Sequence, residues 1–290
     1  MTSNSTADHG ARLADRIASA TGADPRDRLL HARGGWAAGT FTPSPLAPPL
    51  STAGLFAAPA TSATARFSST LGGPHGHDGA PSDHGLAVRI GGLDLVLFTL
   101  PVFFARTGAD MVEFLRAANS GDPAAVPAYA AAHPEAAEAL ALAQQGRPAA
   151  GFTGLEYHSA HAFGLVNAVG TTRWARLGLR PHRPLPPLTA EEALARPRDY
   201  LTAGLPTELP AGFDLLAHLP EGPDEVHDPT RRWTSRQTVT LGTLTLSRAE
   251  APAAEPDFDP LRLPPGITAP LDRLAADRSA AYAAARRLRA

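Results

Sequence analysis

The sequence predicts an α+β protein built on a barrel-like antiparallel sheet, with helices inserted between strands and appended after them. Two observations favour this class. Segments of alternating apolar and polar residues recur along the chain and are bounded by Gly and Pro. Ala-rich segments with apolar residues at helical spacing lie between and after them. With 290 residues, 43% of them hydrophobic, the chain can bury a sizeable core.

The chain is predicted to open with a short docking helix followed, further on, by a long loop. Residues 1–22 begin polar and then place Leu13, Ile17 and Ala20 at helical spacing. Residues 43–65 are rich in Pro, Ser, Thr and Ala, a composition typical of an irregular segment.

Strands and then helices are predicted up to the middle of the chain. Residues 65–73 alternate as a strand that ends in a Gly turn, and residues 84–105 form two strands around Gly91-Gly92. Residues 108–122 and 131–148 have helical spacing, and each segment contains a Gly near its end as a stop signal.

The second half repeats this alternation of strands and helices. Residues 157–182 predict a hairpin, and residues 189–206 predict helix in pieces. Residues 233–250 alternate Thr, Val and Leu most clearly and predict a strand pair. Residues 270–290 predict a final helix.

Composition excludes several kinds of chemistry. The absence of Cys excludes disulfides, thiolate zinc sites and iron–sulfur clusters, and the absence of Lys excludes Schiff-base and P-loop lysines. A formal net charge of −2 gives no field that would attract nucleic acid or an anionic membrane. The longest apolar run, residues 93–105, is too short to span a bilayer, and no signal-peptide pattern is present. We therefore expect a cytoplasmic protein without nucleic-acid or membrane partners.

The final predicted helix carries an Arg and a Tyr on one face. Arg278 and Tyr282 are four residues apart in "RSAAY". A cation beside a phenol favours tyrosinate, a hard anionic ligand suited to ferric iron. The same spacing also fits an amphipathic helix with a half-buried Tyr and a solvated Arg, and spacing alone favours that reading.

Five segments in order resemble the heme catalase superfamily, over residues 25 to 289. They are "RLLHARGGWAAGTF", "ARFSSTLGG", "LDLVLFTLPVFFAR", "HAFGLVNAVG", and "FDPLRLPPGI" followed by "RSAAY". The resemblance implies a heme b cofactor whose iron is bound by Tyr282, with Arg278 holding that side chain anionic. It also implies a 1–24 N-terminal arm and a 25–290 heme domain.

The resemblance assigns the remaining site residues. His31 would be the distal acid–base, oriented by Ser68, and Phe103 would lie over the distal heme. Arg28, Arg66 and Arg289 would pair with the heme propionates, although Arg289 lies near the chain end, where fraying is common. His161 and Asp272 would form a pair on the proximal side.

Two departures point to the small catalase-related peroxidases. Phe98 stands where catalases carry an Asn that works beside the distal His; alternatively, Phe98 points into the core and Thr99 or a water fills the Asn role. The chain also ends eight residues after Tyr282, so we expect no extra C-terminal domain.

The predicted function is oxidation of a small organic electron donor by hydrogen peroxide or an organic hydroperoxide, with weak catalase activity, and we expect a homodimer. Two alternatives stay open: a specialised reaction such as hydroperoxide isomerisation or a tailoring oxidation, and heme binding without turnover. The His-rich residues 72–85 could be read as a metal site, but their Gly and Pro content favours a loop. Five histidines without a motif are interpreted as surface or core residues: His133, His158, His182, His218 and His227.

Overall fold

The computed structural model describes residues 2–24, 27–70, 75–80 and 83–289. Its strands are β1 (Gly34–Pro43), β2 (Thr61–Ser69), β3 (His84–Ile90), β4 (Leu93–Phe98), β5 (Tyr157–Val166), β6 (Thr172–Pro181), β7 (Ala211–His218), β8 (Thr238–Arg248) and β9 (Ile267–Thr268). Its helices are α1 (Thr2–Thr21), α2 (Gly108–Asn119), α3 (Ala125–Ala132), α4 (Ala137–Gln144), α5 (Ala190–Leu194), α6 (Tyr200–Glu208) and α7 (Arg273–Arg289). The Gly turn predicted after β2 falls on residues 71–74, outside the described residues.

The first eight strands form a closed antiparallel barrel, which confirms the predicted fold class. Their order is β4-β3-β2-β1-β8-β7-β6-β5, and a pairing between β4 and β5 closes the ring. That closure is a single register pair, Phe98 with His158. The short β9 adds to β5. Closure leaves the eight strands without an open edge, which is how small barrels avoid edge-to-edge association.

The barrel interior is filled by inward-pointing side chains, as strand alternation requires. Phe67 on β2 packs at its centre, stacked on Phe152 and close to Tyr157 and Phe213. A second apolar cluster lies outside the barrel, where α1, α2 and α7 cover the wall that carries Phe98. By holding α1, α2 and α7 against this wall, the second cluster positions the candidate site described below.

Helix α1 packs on α7 and α2, so the predicted docking helix is present. Gly10 permits close approach, because a Cβ there would lie 2.4 Å from the carbonyl oxygen of Ala280. His9 Nε2 lies 2.9 Å from a carboxylate oxygen of Asp277, whose other oxygen accepts from the backbone N–H of Gly108 at 2.9 Å. These contacts fix the helix that carries Arg278 and Tyr282.

Two predicted elements differ from the structure. The strand pair predicted at 233–250 is one strand, β8, because Gly242 makes no turn; it leaves space for the ring of Phe41, whose Cζ would lie 2.5 Å from a Cβ. The helix predicted at 131–148 is broken at Pro134, since the residue before a proline disfavours helical backbone.

Helices α1 to α7 range from 5 to 20 residues in length. None of them combines the length and the apolar character that spanning a bilayer would require.

Candidate active site

A cavity of about 300 Å³ lies between the barrel wall and helices α1, α2 and α7. This size is typical of small-molecule and cofactor sites. Nine of the predicted site residues line it: Arg28, His31, Arg66, Ser68, Phe98, Phe103, Arg278, Tyr282 and Arg289. The other two, His161 and Asp272, lie behind Arg278. The fold therefore brings together residues that are up to 261 positions apart (Arg28 to Arg289).

His31 lies on the loop before β1 in a left-handed backbone conformation, with φ of 57°. Such a conformation costs free energy in a non-Gly residue and persists where neighbours enforce it. Here Arg66 on β2 donates to the carbonyl oxygens of His31 (3.0 Å) and Ala32 (3.2 Å). Arg66 thus fixes the loop that aims His31 at the cavity.

The hydroxyl of Ser68 lies within hydrogen-bond distance of the imidazole ring of His31. Its Oγ lies 3.0 Å from Nδ1 of His31 and 3.4 Å from the carbonyl oxygen of Gly85. When the hydroxyl donates to Gly85, it accepts from Nδ1–H, and Nε2 of His31 is left as a proton acceptor. Burial, together with the positive charges of Arg66 and Arg278, lowers the pKa of His31 to about 3. The ring is therefore neutral at physiological pH.

Gly85 completes this arrangement and was not singled out from the sequence. A Cβ at this position would lie 2.8 Å from Cε1 of His31 and 2.9 Å from Oγ of Ser68. Only glycine leaves room for both side chains. The sequence signal, a Gly at the start of a strand, is too common to identify such a role.

With the acid–base role that the resemblance implies for His31, replacing Gly85 with Ala should displace the His31 ring and lower the rate of peroxide consumption about 10-fold or more, since misplacement of a catalytic group by 1 Å can cost ~10²-fold. The rate is measured on heme-loaded protein. Gly54→Ala is the matched control, because nothing lies within 4 Å of a Cβ at Gly54. Equal rates in both variants would contradict the packing role of Gly85.

Phe98 faces the cavity beside His31. The two ring centroids are 5.6 Å apart, and Phe98 also contacts Phe103 at 5.8 Å. Thr99 does not reach the cavity, because its hydroxyl donates to Asp83 and accepts from the backbone of His84. The alternative in which Thr99 replaces the missing Asn is therefore not supported. The wall beside His31 is aromatic.

Arg278 is held by a buried chain of three side chains. Nδ1 of His161 lies 2.9 Å from Asp272, and Nε2 lies 2.8 Å from Nη1 of Arg278. Burial lowers the pKa of His161. Burial alone would raise the pKa of Asp272, but the hydrogen bond from His161 holds the pKa of Asp272 below its usual value. A neutral His161 thus donates to Asp272 and accepts from Arg278.

Arg278 and Tyr282 line the same cavity, but among the described residues no hydrogen bond joins them. The guanidinium of Arg278 lies instead over the rings of Phe98 (5.0 Å) and Phe103 (5.6 Å). Its buried Nη2 atom has no hydrogen-bond partner within the described parts of the chain. His161 and the two rings hold the guanidinium, and the role of Arg278 in keeping Tyr282 anionic stays a prediction.

Three arginines place positive charge at one rim of the cavity. Burial and the nearby Arg28 lower the pKa of Arg66 to about 10, and burial and Arg28 also lower the pKa of Arg289. Glu255 offsets part of this charge through Arg28, at 2.7 Å. Trp36 lies beneath both Arg28 and Arg66. Guanidinium groups clustered in this way suit the carboxylates of a bound cofactor.

The His-rich segment at 72–85 is described by the structure at residues 75–80 and 83–85. Asp78 pairs with Arg33 and accepts from Ser69, and Nδ1 of His77 accepts from Gly79. These side chains organise the loop, in agreement with the loop interpretation.

Comparisons with known proteins agree with the fold. A family model described as Catalase matches residues 10–212. A catalase-related peroxidase from Mycolicibacterium paratuberculosis is 31% identical over 95% of this chain and 93% of that protein. A catalase from Pseudomonas aeruginosa is 27% identical over 89% of this chain but only 56% of that protein. The chain thus spans the first relative nearly fully and little more than half of the second.

Solved structures are similar at lower identity. Catalase A from Saccharomyces cerevisiae superposes with a TM-score of 0.82 at 20% identity, covering 91% of this chain and 61% of that one. A bacterial catalase gives 0.81 at 20% identity, covering 96% and 60%. At this identity the likeness supports the fold alone.

Proposed function

Since the chain belongs to the catalase family, we propose that it is a heme-dependent peroxidase with weak catalase activity. It reduces hydrogen peroxide or an organic hydroperoxide and oxidises a small organic donor. The observation that carries the choice of peroxidase over catalase is the Phe98 ring, 5.6 Å from the ring of His31.

The cavity residues fit a heme. Tyr282 offers an oxygen ligand, the unpartnered Nη2 of Arg278 offers a buried donor in the same cavity, and the arginine rim suits two propionates. Phe98 and Phe103 supply aromatic surface. When bound, heme supplies the iron that exchanges electrons between peroxide and donor.

His31 supplies the proton transfers. Its neutral Nε2 would accept a proton from one peroxide oxygen and return it to the other, which would leave as water or an alcohol. The reduction consumes two electrons and two protons, and the organic donor supplies both electrons. Ser68 and Arg66 keep the imidazole aimed at the cavity, and the low pKa of His31 keeps it available as an acceptor.

The aromatic wall determines which substrate is favoured. Release of dioxygen requires a second hydrogen peroxide to be held beside His31, and a ring offers no hydrogen-bond donor for it. An apolar wall disfavours a small polar molecule and favours organic hydroperoxides and apolar donors.

The test is Phe98→Asn in heme-loaded protein, with dioxygen release and dye oxidation measured side by side. We expect the ratio of dioxygen release to dye oxidation to rise, because an amide donor then stands beside His31. Phe98→Leu is the matched control, since it opens space without adding a donor and should leave the ratio low. A parent enzyme that already releases dioxygen as fast as it oxidises dye would show that the peroxidase assignment is wrong.

A further inference from the structure

A second cluster of chemically active side chains lies away from the cavity, on the face of β5–β7 that points away from the barrel core. It consists of Glu156, His158 and His218. One ligand atom of each lies within 4.8 Å of the ligand atoms of the other two. The proposed peroxidase chemistry uses none of them.

The sheet brings the two histidines together across an intervening strand. His158 on β5 is in register with Gly178 on β6, and His218 lies on β7. Strands two apart in a sheet are separated by roughly 10 Å, because neighbours lie about 4.8 Å apart. The imidazole centroids are nevertheless only 6.4 Å apart. The two rings lean towards each other over β6.

Gly178 makes this approach possible. A Cβ at that position would lie 3.2 Å from Nε2 of His218 and 3.1 Å from the carbonyl oxygen of Tyr157. That Nε2 atom is buried and has no hydrogen-bond partner within the described residues. A buried ring nitrogen without a partner costs free energy unless something binds it.

We propose that Glu156, His158 and His218 bind a divalent transition-metal ion of the zinc class. Two imidazole nitrogens and one carboxylate oxygen form a ligand set that zinc takes in proteins, with a fourth position left for water. The ion would satisfy the unpartnered Nε2 atom of His218. It would also join β5 to β7 across β6, a link that no backbone hydrogen bond provides.

The surroundings make this an exchangeable site. Glu156 is exposed and both histidines are partly buried, so an ion held here would be open to water on the Glu156 side. Arg176 and Arg180 lie close enough to act electrostatically on His218, and their positive charge opposes that of the ion. Asp214 offsets part of this through its pair with Arg180, at 3.0 Å. We therefore expect weaker binding than at a closed structural zinc site.

The proposal is tested by titrating Zn²⁺ into heme-loaded protein against a zinc-sensitive chromophore. The parent should bind one ion per chain, and Glu156→Gln and His218→Ala should each weaken binding at least about 10-fold, since even outer-shell changes cost 10–100-fold. Glu156 is exposed, so its substitution leaves packing intact. His227→Ala, which removes an exposed imidazole outside the cluster, should bind like the parent.

Unchanged affinity in both cluster variants would show that zinc binds elsewhere, and the proposal would be wrong. A parent that binds no Zn²⁺ at about 100 µM, an affinity of roughly 5.5 kcal/mol, would refute it equally. Either result leaves the peroxidase assignment unaffected, because peroxide consumption is measured at a different site.

Discussion

Tyr282→Phe should remove the tyrosinate signature from the ferric spectrum of the heme-loaded protein and abolish most peroxide consumption. Tyr282 lies on the cavity face of α7, where it shares the lining with Arg278. Phenylalanine keeps the ring and its packing but removes the only oxygen that this side chain can offer to iron. The measurement is the ferric absorption spectrum, together with the amount of heme retained after gel filtration.

Tyr200→Phe is the matched control for this substitution. Tyr200 also bears a hydroxyl, but this hydroxyl is buried, donates to the carbonyl oxygen of Ala149 and does not line the cavity. Its loss should leave the spectrum unchanged. An unaltered spectrum in Tyr282→Phe would mean that another side chain binds the iron.

His31→Ala should retain heme and lose ~10²–10⁴-fold in the rate of peroxide consumption, the usual contribution of general acid–base help. The residues proposed to hold heme, on α7 and at the arginine rim, are untouched by this change. The rate is measured by stopped flow at low peroxide. A rate within a few-fold of the parent would remove His31 from the mechanism.

Ser68→Ala should give an intermediate rate of peroxide consumption in the same stopped-flow measurement. It removes the hydrogen bond to Nδ1 of His31 but leaves Arg66 holding the loop, so its loss of rate should be smaller than that of His31→Ala.

Because the pKa of His31 is lowered to about 3, the parent rate should not change with protonation of His31 between about pH 5 and 8.

Sequence alternation was sufficient to predict most of the barrel, because inward and outward residues alternate along each strand. The hairpin at 157–182 and the turn at Gly91-Gly92 are confirmed. The prediction of two strands at 233–250 was wrong, because Gly242 makes room for the ring of Phe41 and does not form a turn. The sequence alone does not show whether a glycine forms a turn or makes room for a neighbouring side chain. Only the position of the neighbouring strand distinguishes these two roles.

The candidate site shows the same limit. Sequence motifs identified His31 and Tyr282, because motif order along the chain is visible without coordinates. They did not identify Gly85 or Gly178. At each of these positions a Cβ would come too close to a histidine side chain on another segment, His31 for Gly85 and His218 for Gly178. The pairing of His158 with His218 also depends on strand order, which a linear pattern does not contain. The same holds for Arg278, whose partners were set by packing and not by helical spacing.

The contact between α1 and α7 has a consequence for how the molecule is made. His9 and Asp277 are 268 residues apart in sequence, and chains are synthesised from the N-terminus. The apolar stripe of α1, formed by Leu13, Ala14 and Ile17, therefore emerges from the ribosome long before the helix that buries it. Until then the cavity lacks one wall, so we expect capture of the proposed heme only after α7 has been synthesised.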